Sequence, residues 1–501
     1  MNGTIEHPPN LDLDIAIIGA GISGINAAYR VQTRAPKGTT YAILEARDDI
    51  GGTWNFFKYP GIRSDSDLHT FGFPWRPWPE RRPIADAPSI LKYLKESASI
   101  YGIDKQIRFR HKLISADWSS RDLMWTLNVQ ANGDTTILHT RFLILGTGYY
   151  DYEKPLKASI SGLDRFKGKV VHPQFWPGDL EYEGKRMVII GSGATAVTLL
   201  PSVAERAEHV VMLQRSPSYV LSLPSNDKVG GLIHQLLPSS IANWIQRVRW
   251  IMLGYILYYY CSTFPNSAKR FLRQETIKQL PKDIPHDPHF KPAYNPWEQR
   301  LCLCPDGDFY KALRKGKASI ATGSIKTVTE TGIELQDGSF IGTDIIVTAT
   351  GLKILIAGGA RLSIDGKPLN PAEKFLWKGV MMQDLPNAAF VVGYTNASWT
   401  LGADATAQLI VRLLNMMQKK DVVAAVPRLE HPEKMKSVPI LNLNSTYIRK
   451  AADMMPKAGE GQWAPRSNYF VDIKEARWGD IVSGLQFYER QMANGDKGLV
   501  S

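Results

Sequence analysis

A glycine-rich turn occurs twice in this chain, as Gly19-x-Gly21-x-x-Gly24 and as Gly191-x-Gly193-x-x-Ala196. No other feature restricts the fold as much. An apolar run precedes each turn, ending at Gly19 and at Ile190, and a helical pattern follows each. The next strands are predicted at Tyr41–Glu45 and Val210–Gln214. Strand, tight turn, helix and strand make the βαβ unit of dinucleotide folds. The first glycine permits the turn, the second lets a pyrophosphate approach the backbone, and the third small residue lets helix pack on strand. Two such units predict an α/β chain with two Rossmann-like dinucleotide-binding domains, and so electrons passing between two bound nucleotides.

The residues ending the second strand of each unit separate the two sites. Glu45 can accept hydrogen bonds from an unphosphorylated ribose. The matching position in the second unit is Gln214, followed by Arg215 and Ser216. A carboxylate there would repel a 2′-phosphate. Arg215 can instead clamp one and Ser216 can add a donor, which predicts NADPH over NADH. After the first unit, Gly51-Gly52-Thr53-Trp54-Asn55-Phe56 suits a loop threading past a flat cofactor, with Tyr59-Pro60-Gly61-Ile62-Arg63-Ser64-Asp65 close behind. Leu113 sits in a strand predicted over Lys112–Ser115.

The 501 residues suffice for two or three cored domains. The expected division is a first FAD-binding part over residues 1–150, a first NADPH-binding part over 151–223, and a helical insertion over 224–297. The second NADPH-binding part is expected over 298–375, and the rest of the FAD domain with an irregular tail over 376–501. Residues 1–13 read as a short polar lead-in without the apolar stretch of a secretory signal. The net charge of +12 fits attraction for phosphorylated cofactors; without a dense basic tract or reader motif it does not point to nucleic acid. The three cysteines, Cys261, Cys302 and Cys304, form no Cys-x-x-Cys pair and fit a reducing cytoplasm. Cys302 and Cys304 should share one face of a strand. No metal-ligand pattern enters the expected site. Trp250–Cys261 is too short an apolar run to cross a bilayer and reads as a buried helix or as one resting on a membrane surface.

Between the two units lies Phe166-x-Gly168-x-x-x-His172-x-x-x-Trp176-Pro177. With the two fingerprints, this pattern resembles the class B flavoprotein monooxygenases, and among them the Baeyer–Villiger monooxygenases. The related N- and S-oxidising flavin enzymes carry Tyr or Phe where Trp176 stands. The strings YPGIRSDSD, IGSGATAVTLLP, LQRSPSYV, YNPWEQRLCL and GYTNASWTL are similar to the ethionamide-activating subgroup. The likeness runs from about Asp14 to Phe470.

The resemblance implies FAD on the first turn, with Ser23, Glu45, Thr53, Trp54, Asn55, Phe56, Asp65 and Leu113 lining it. It implies NADPH on the second, held by Gly191, Ser192, Gly193, Ala194, Thr195, Ala196, Val197, Arg215 and Ser216 and reached by Arg63, Ser64 and Asp65. It makes Arg300 the catalytic arginine, oriented by Asp65. The implied reaction consumes O2 and a ketone, proceeds through a C4a-peroxyflavin and yields an ester or lactone; sulfides or thioamides are further substrates. His172 and Trp176 are expected to couple domain motion to the reaction. Gln299 stands where many relatives have a lysine that helps read the 2′-phosphate, which leaves NADPH preference resting on Arg215 and Ser216. Three other readings compete: N- or S-oxidation alone, against which Trp176 argues; a disulfide reductase, which the missing cysteine pair opposes; and a non-catalytic flavin module, which would require loss of Arg300 or a fingerprint. The substrate pocket is expected from the insertion, the Asn396–Leu401 loop and the tail.

Overall fold

In the computed structural model, which describes residues 11–441, 451–466, 468–489 and 499–500, each glycine turn follows a central strand of its own sheet, flanked by parallel neighbours. The first domain is built on Leu13–Ile18, buried at every position. Tyr41–Glu45 pairs with it in parallel on one side and Asp134–Leu145 on the other. Strands covered on both faces read as continuous apolar runs rather than alternating ones, as residues 15–18 and 41–44 do.

Asp134–Leu145 changes character along its length. Its first half is largely exposed and pairs antiparallel with Met124–Ala131; its last four residues are buried and join the parallel core, beside Ala388–Phe390. Leu113 lies in a longer strand than expected, His111–Ser119, which pairs with Met124–Ala131.

The second sheet has five strands, all parallel, in the order Ala318–Thr322, His209–Gln214, Arg186–Ile190, Ile345–Thr348 and Lys169–Val171. The edge strand Lys169–Val171 belongs to the motif read as a linker. Gly168 just before it allows close packing: a Cβ there would lie 2.3 Å from the Asp344 carbonyl oxygen and 2.6 Å from the Phe166 ring.

The chain crosses between the domains twice, and the crossings pair with each other. Asp151 N–H donates to Lys353 O at 2.8 Å, and Leu355 N–H donates to Tyr149 O at 3.0 Å. After the second crossing, Arg361–Ile364 already pairs with His111–Ser119 in the first sheet, ahead of residue 376.

The insertion forms three helices, Lys228–Leu236, Ser239–Thr263 and Pro265–Ile277. Val220–Leu223 and Cys302–Pro305 pair in parallel at its neck. No helix among the described residues is long and apolar enough to cross a membrane. The lead-in lies almost wholly outside the described residues. In the tail, Tyr469–Trp478 packs on the helix Trp399–Lys419, where Arg412 donates to the Glu475 and Ala476 carbonyls at 3.0 and 2.9 Å. A buried ion pair, Arg30 to Asp404 at 2.8 Å, joins that helix to the first fingerprint helix.

Candidate active site

Both glycine turns line one continuous cleft of about 1830 Å³. A single small-molecule pocket usually holds roughly 300–1,000 Å³, so there is room for more than one ligand. Each turn sits hard against the start of a domain crossing. Gly19 has φ +99°, and a Cβ there would lie 2.9 Å from Gly146 O; Gly191 has φ +139°, and its Cβ would lie 2.3 Å from Ala349 O. Gly146-Thr147-Gly148 and Ala349-Thr350-Gly351 therefore enter the cleft wall beside the fingerprints. In sequence they show only as glycine-bearing strand ends.

The helices that follow the turns start at Gly21 and Gly193 without side-chain caps. Elsewhere Asp86, Asp227 and Asn468 cap their helices with side-chain oxygens. An uncapped first turn leaves backbone N–H groups for a phosphate. A Cβ on Gly193 would meet no protein atom within 4 Å.

Glu45 is buried and held by two backbone donors, Ala20 N–H at 2.7 Å and Arg47 N–H at 3.0 Å. Its orientation is thus set while lone pairs remain for a ribose. Ser23 accepts from Trp399 Nε1 at 2.9 Å, and Trp399 stacks on Tyr149 at 5.0 Å. Thr53 meets the Tyr152 hydroxyl at 3.0 Å, and Trp54 lies edge-on to Phe71. Arg47 lies over Phe56 and Tyr152, with its guanidinium carbon 5.3 and 4.9 Å from the ring centres. Sequence reasoning missed Arg47, Tyr149 and Tyr152, because only folding brings them to the cleft.

At the second site Gln214 turns into the protein, donating to His289 O at 2.6 Å and to Thr322 Oγ1 at 3.0 Å. Arg215 and Ser216 remain exposed at the cleft. Ser192 Oγ donates to Ser216 O at 2.7 Å and ties this corner to the glycine turn.

Asp65 and Arg300 come together across the domains. Arg300 Nε donates to Asp65 Oδ2 at 3.1 Å and Nη2 to Oδ1 at 3.3 Å; Nη1 reaches Thr395 O at 3.4 Å. Both side chains are partly exposed in the cleft wall, with Gln299 beside them. The loop carrying Asp65 is clamped on the second domain. Tyr59 packs against that domain's core, Arg63 pairs with Asp308, and a Cβ on Gly61 (φ +77°) would lie 1.9 Å from Ser202 Oγ.

Of the expected site residues, Gly19, Gly21, Ser23, Glu45, Thr53, Trp54, Phe56, Asp65, Leu113, Gly191 through Thr195, Arg215, Ser216 and Arg300 line the cleft. Six do not. Gly24 packs against Gly19, Ala196 and Val197 lie in the second domain's core, and Arg63 faces Asp308. Ser64 is buried beside Ala85, and Asn55 accepts from Lys58. The insertion, expected to build the pocket, contributes no lining residue among those described; it packs behind the wall, where Ile251 and Tyr255 meet Tyr394 and Leu401. From the tail, Met455 and Pro456 do reach the cleft. Cys302 and Cys304 share a buried strand face, and burial pushes the Cys302 thiol up to about 12. Although Cys302 touches the cleft, it carries no thiolate at neutral pH.

The Flavin-binding monooxygenase-like family model matches residues 13–253. The chain is 43% identical to the FAD-containing monooxygenase EthA of Mycobacterium tuberculosis, over 95% of its own length and 98% of that protein's. The chain belongs to the flavin-binding monooxygenase-like family. This monooxygenase is also 43% identical to the probable FAD-binding monooxygenase AlmA of Acinetobacter baylyi, over 94% of its length and 95% of that protein's. Its fold follows that of an oxidized steroid monooxygenase solved with NADP, with a TM-score of 0.74 and 21% identity, covering 95% of this chain and 99% of that one. The expected α/β class with two Rossmann-like domains holds.

Proposed function

We propose that this monooxygenase is an FAD-dependent, NADPH-consuming Baeyer–Villiger enzyme that inserts one oxygen atom of O2 beside a ketone carbonyl, giving an ester or lactone. The observation that carries the reading is the Asp65–Arg300 pair, placed across the domains in the wall of a cleft that both glycine turns share. The groups lining the cleft fit both cofactors, with an uncapped helix start at each end, the oriented Glu45 at one and Arg215 at the other. When bound, FAD supplies the redox chemistry, accepting a hydride from NADPH and activating O2.

The chain's own residues bind, orient and exclude water. Gly19, Gly21 and Ser23 cradle one pyrophosphate, and Gly191, Ser192 and Gly193 the other. Glu45 accepts from a ribose hydroxyl. Arg300 places a fixed positive charge where the attacked carbonyl oxygen gains negative charge, and such charge is worth most in a site shielded from water. Asp65 orients Arg300 through two hydrogen bonds. Phe166, His172 and Trp176 are not part of the cleft wall and act in this reading through domain movement. The strings shared with the ethionamide-activating subgroup extend the proposal to sulfides and thioamides. A cytoplasmic location accords with three buried free thiols.

A panel of linear, cyclic and aryl ketones, with NADPH consumption compared against ester formed, tests the reading. At least one ketone should yield ester in step with NADPH. NADPH oxidised to peroxide alone, or oxygen transferred only to nitrogen and sulfur, would sink it.

Arg215→Ala should raise the KM for NADPH roughly tenfold to a hundredfold, the worth of one charge-assisted contact, and leave that for NADH unchanged. Equal losses with both coenzymes would remove the 2′-phosphate role.

A further inference from the structure

We infer that the helical insertion docks this monooxygenase on an anionic lipid surface. The helix Ser239–Thr263 leaves an apolar stripe uncovered: Ile241, Met252, Ile256 and Tyr259 are 48%, 45%, 60% and 51% exposed. Three turns separate the first two and about one turn each of the others, so all four lie on one face. Trp244 and Leu236 stand out further, at 67% and 71% exposure. Contiguous exposed apolar surface marks an interaction site, and Trp and Tyr favour the boundary between lipid and water.

Charge decides the occupant. The only charged residues of this helix are Arg247 and Arg249, and both turn inward. Arg247 donates to the His69 and Gly72 carbonyls at 2.9 and 2.8 Å, and Arg249 pairs with Asp227 at 2.6 Å. Asp227 is the one acidic residue between positions 224 and 274, and it is buried. The exposed cations Lys228 and Arg270 lie on the two neighbouring helices of the insertion. An uncharged apolar face on an insertion whose exposed charges over these helices are mainly basic matches a bilayer bearing anionic headgroups. A second copy of this chain, with net charge +12, is a poorer match.

The inner side of the same helix packs Ile251 and Tyr255 against Tyr394, and Tyr394 lines the cleft. An apolar substrate dissolved in the lipid would therefore wait about one helix diameter, roughly 10 Å, from the cleft wall. The inference does not depend on which substrate the enzyme oxidises.

The test is sedimentation of the flavin-loaded protein with vesicles of phosphatidylcholine alone or mixed with phosphatidylglycerol, at low and high salt. Wild type should pellet with the anionic vesicles, less so at high salt. The double variant Trp244→Glu/Ile256→Glu should bind them roughly tenfold or more weakly while retaining its flavin and NADPH oxidation. No pelleting, equal pelleting with neutral vesicles, or undiminished binding by the variant would overturn the inference. So would a wild-type dimer in sedimentation velocity that the double variant splits, because a second copy would then cover the face.

Discussion

Replacing Arg300 with alanine should abolish ester formation while NADPH still bleaches the flavin under anaerobic conditions. The two half-reactions place different demands on the cleft. Hydride transfer needs the coenzyme and the flavin side by side, positions that the proposal assigns to the two glycine turns and to Arg215, all of which the substitution leaves intact. Oxygen insertion needs positive charge where the carbonyl oxygen becomes negative, and in the proposed reaction Arg300, held by Asp65, is the residue that would supply it. Removing one such donor usually costs about 10²–10³ in rate. Arg300 offers a full charge, so the loss should reach at least the upper end. Product analysis by gas chromatography beside anaerobic stopped-flow reduction separates the two steps. Normal ester yield, or equal loss of reduction and insertion, would refute the assigned role.

Gly24→Ala should give a protein that purifies with little flavin and a lowered melting temperature. The added Cβ would lie 1.8 Å from the Gly19 carbonyl oxygen, a backbone atom in the turn that lines the cofactor cleft. Helix and strand would have to separate, at a cost of about 1–3 kcal/mol or more, and the turn would lose its shape. Gly193→Ala is the matched control. Its Cβ meets no protein atom, so flavin content and melting temperature should hold while the KM for NADPH rises. The flavin-to-protein absorbance ratio and a thermal melt read both variants. A fully loaded, equally stable Gly24→Ala protein would show that the close approach of helix and strand does not shape the first site.

The two glycine turns were legible in sequence because a βαβ unit is local: turn, capless helix and flanking strands fall within a few dozen residues. Arg300 and Asp65 were legible only through the family motif, since a junction arginine and a loop carboxylate carry no signature of pairing. The clamp of the Tyr59–Asp65 loop on the second domain was not legible. Arg63–Asp308 and Gly61–Ser202 join residues remote in the chain, and no periodicity encodes such contacts. The insertion was misread as pocket wall for a related reason. Its helical pattern shows that a face is apolar, not what that face meets, and here one side backs the wall while the other is left exposed.

The amino-acid sequence alone determined two dinucleotide-type units, the contrast between Glu45 and Arg215, and the family motif, because each rests on short-range spacing and on the chemistry of side chains at strand ends. The tertiary structure alone decided that both turns open into one cleft, that Asp65 reaches Arg300 across it, and that the long insertion helix stands behind the wall rather than in it. Those outcomes depend on how two separately folded sheets pack, and packing is settled by contacts between distant residues.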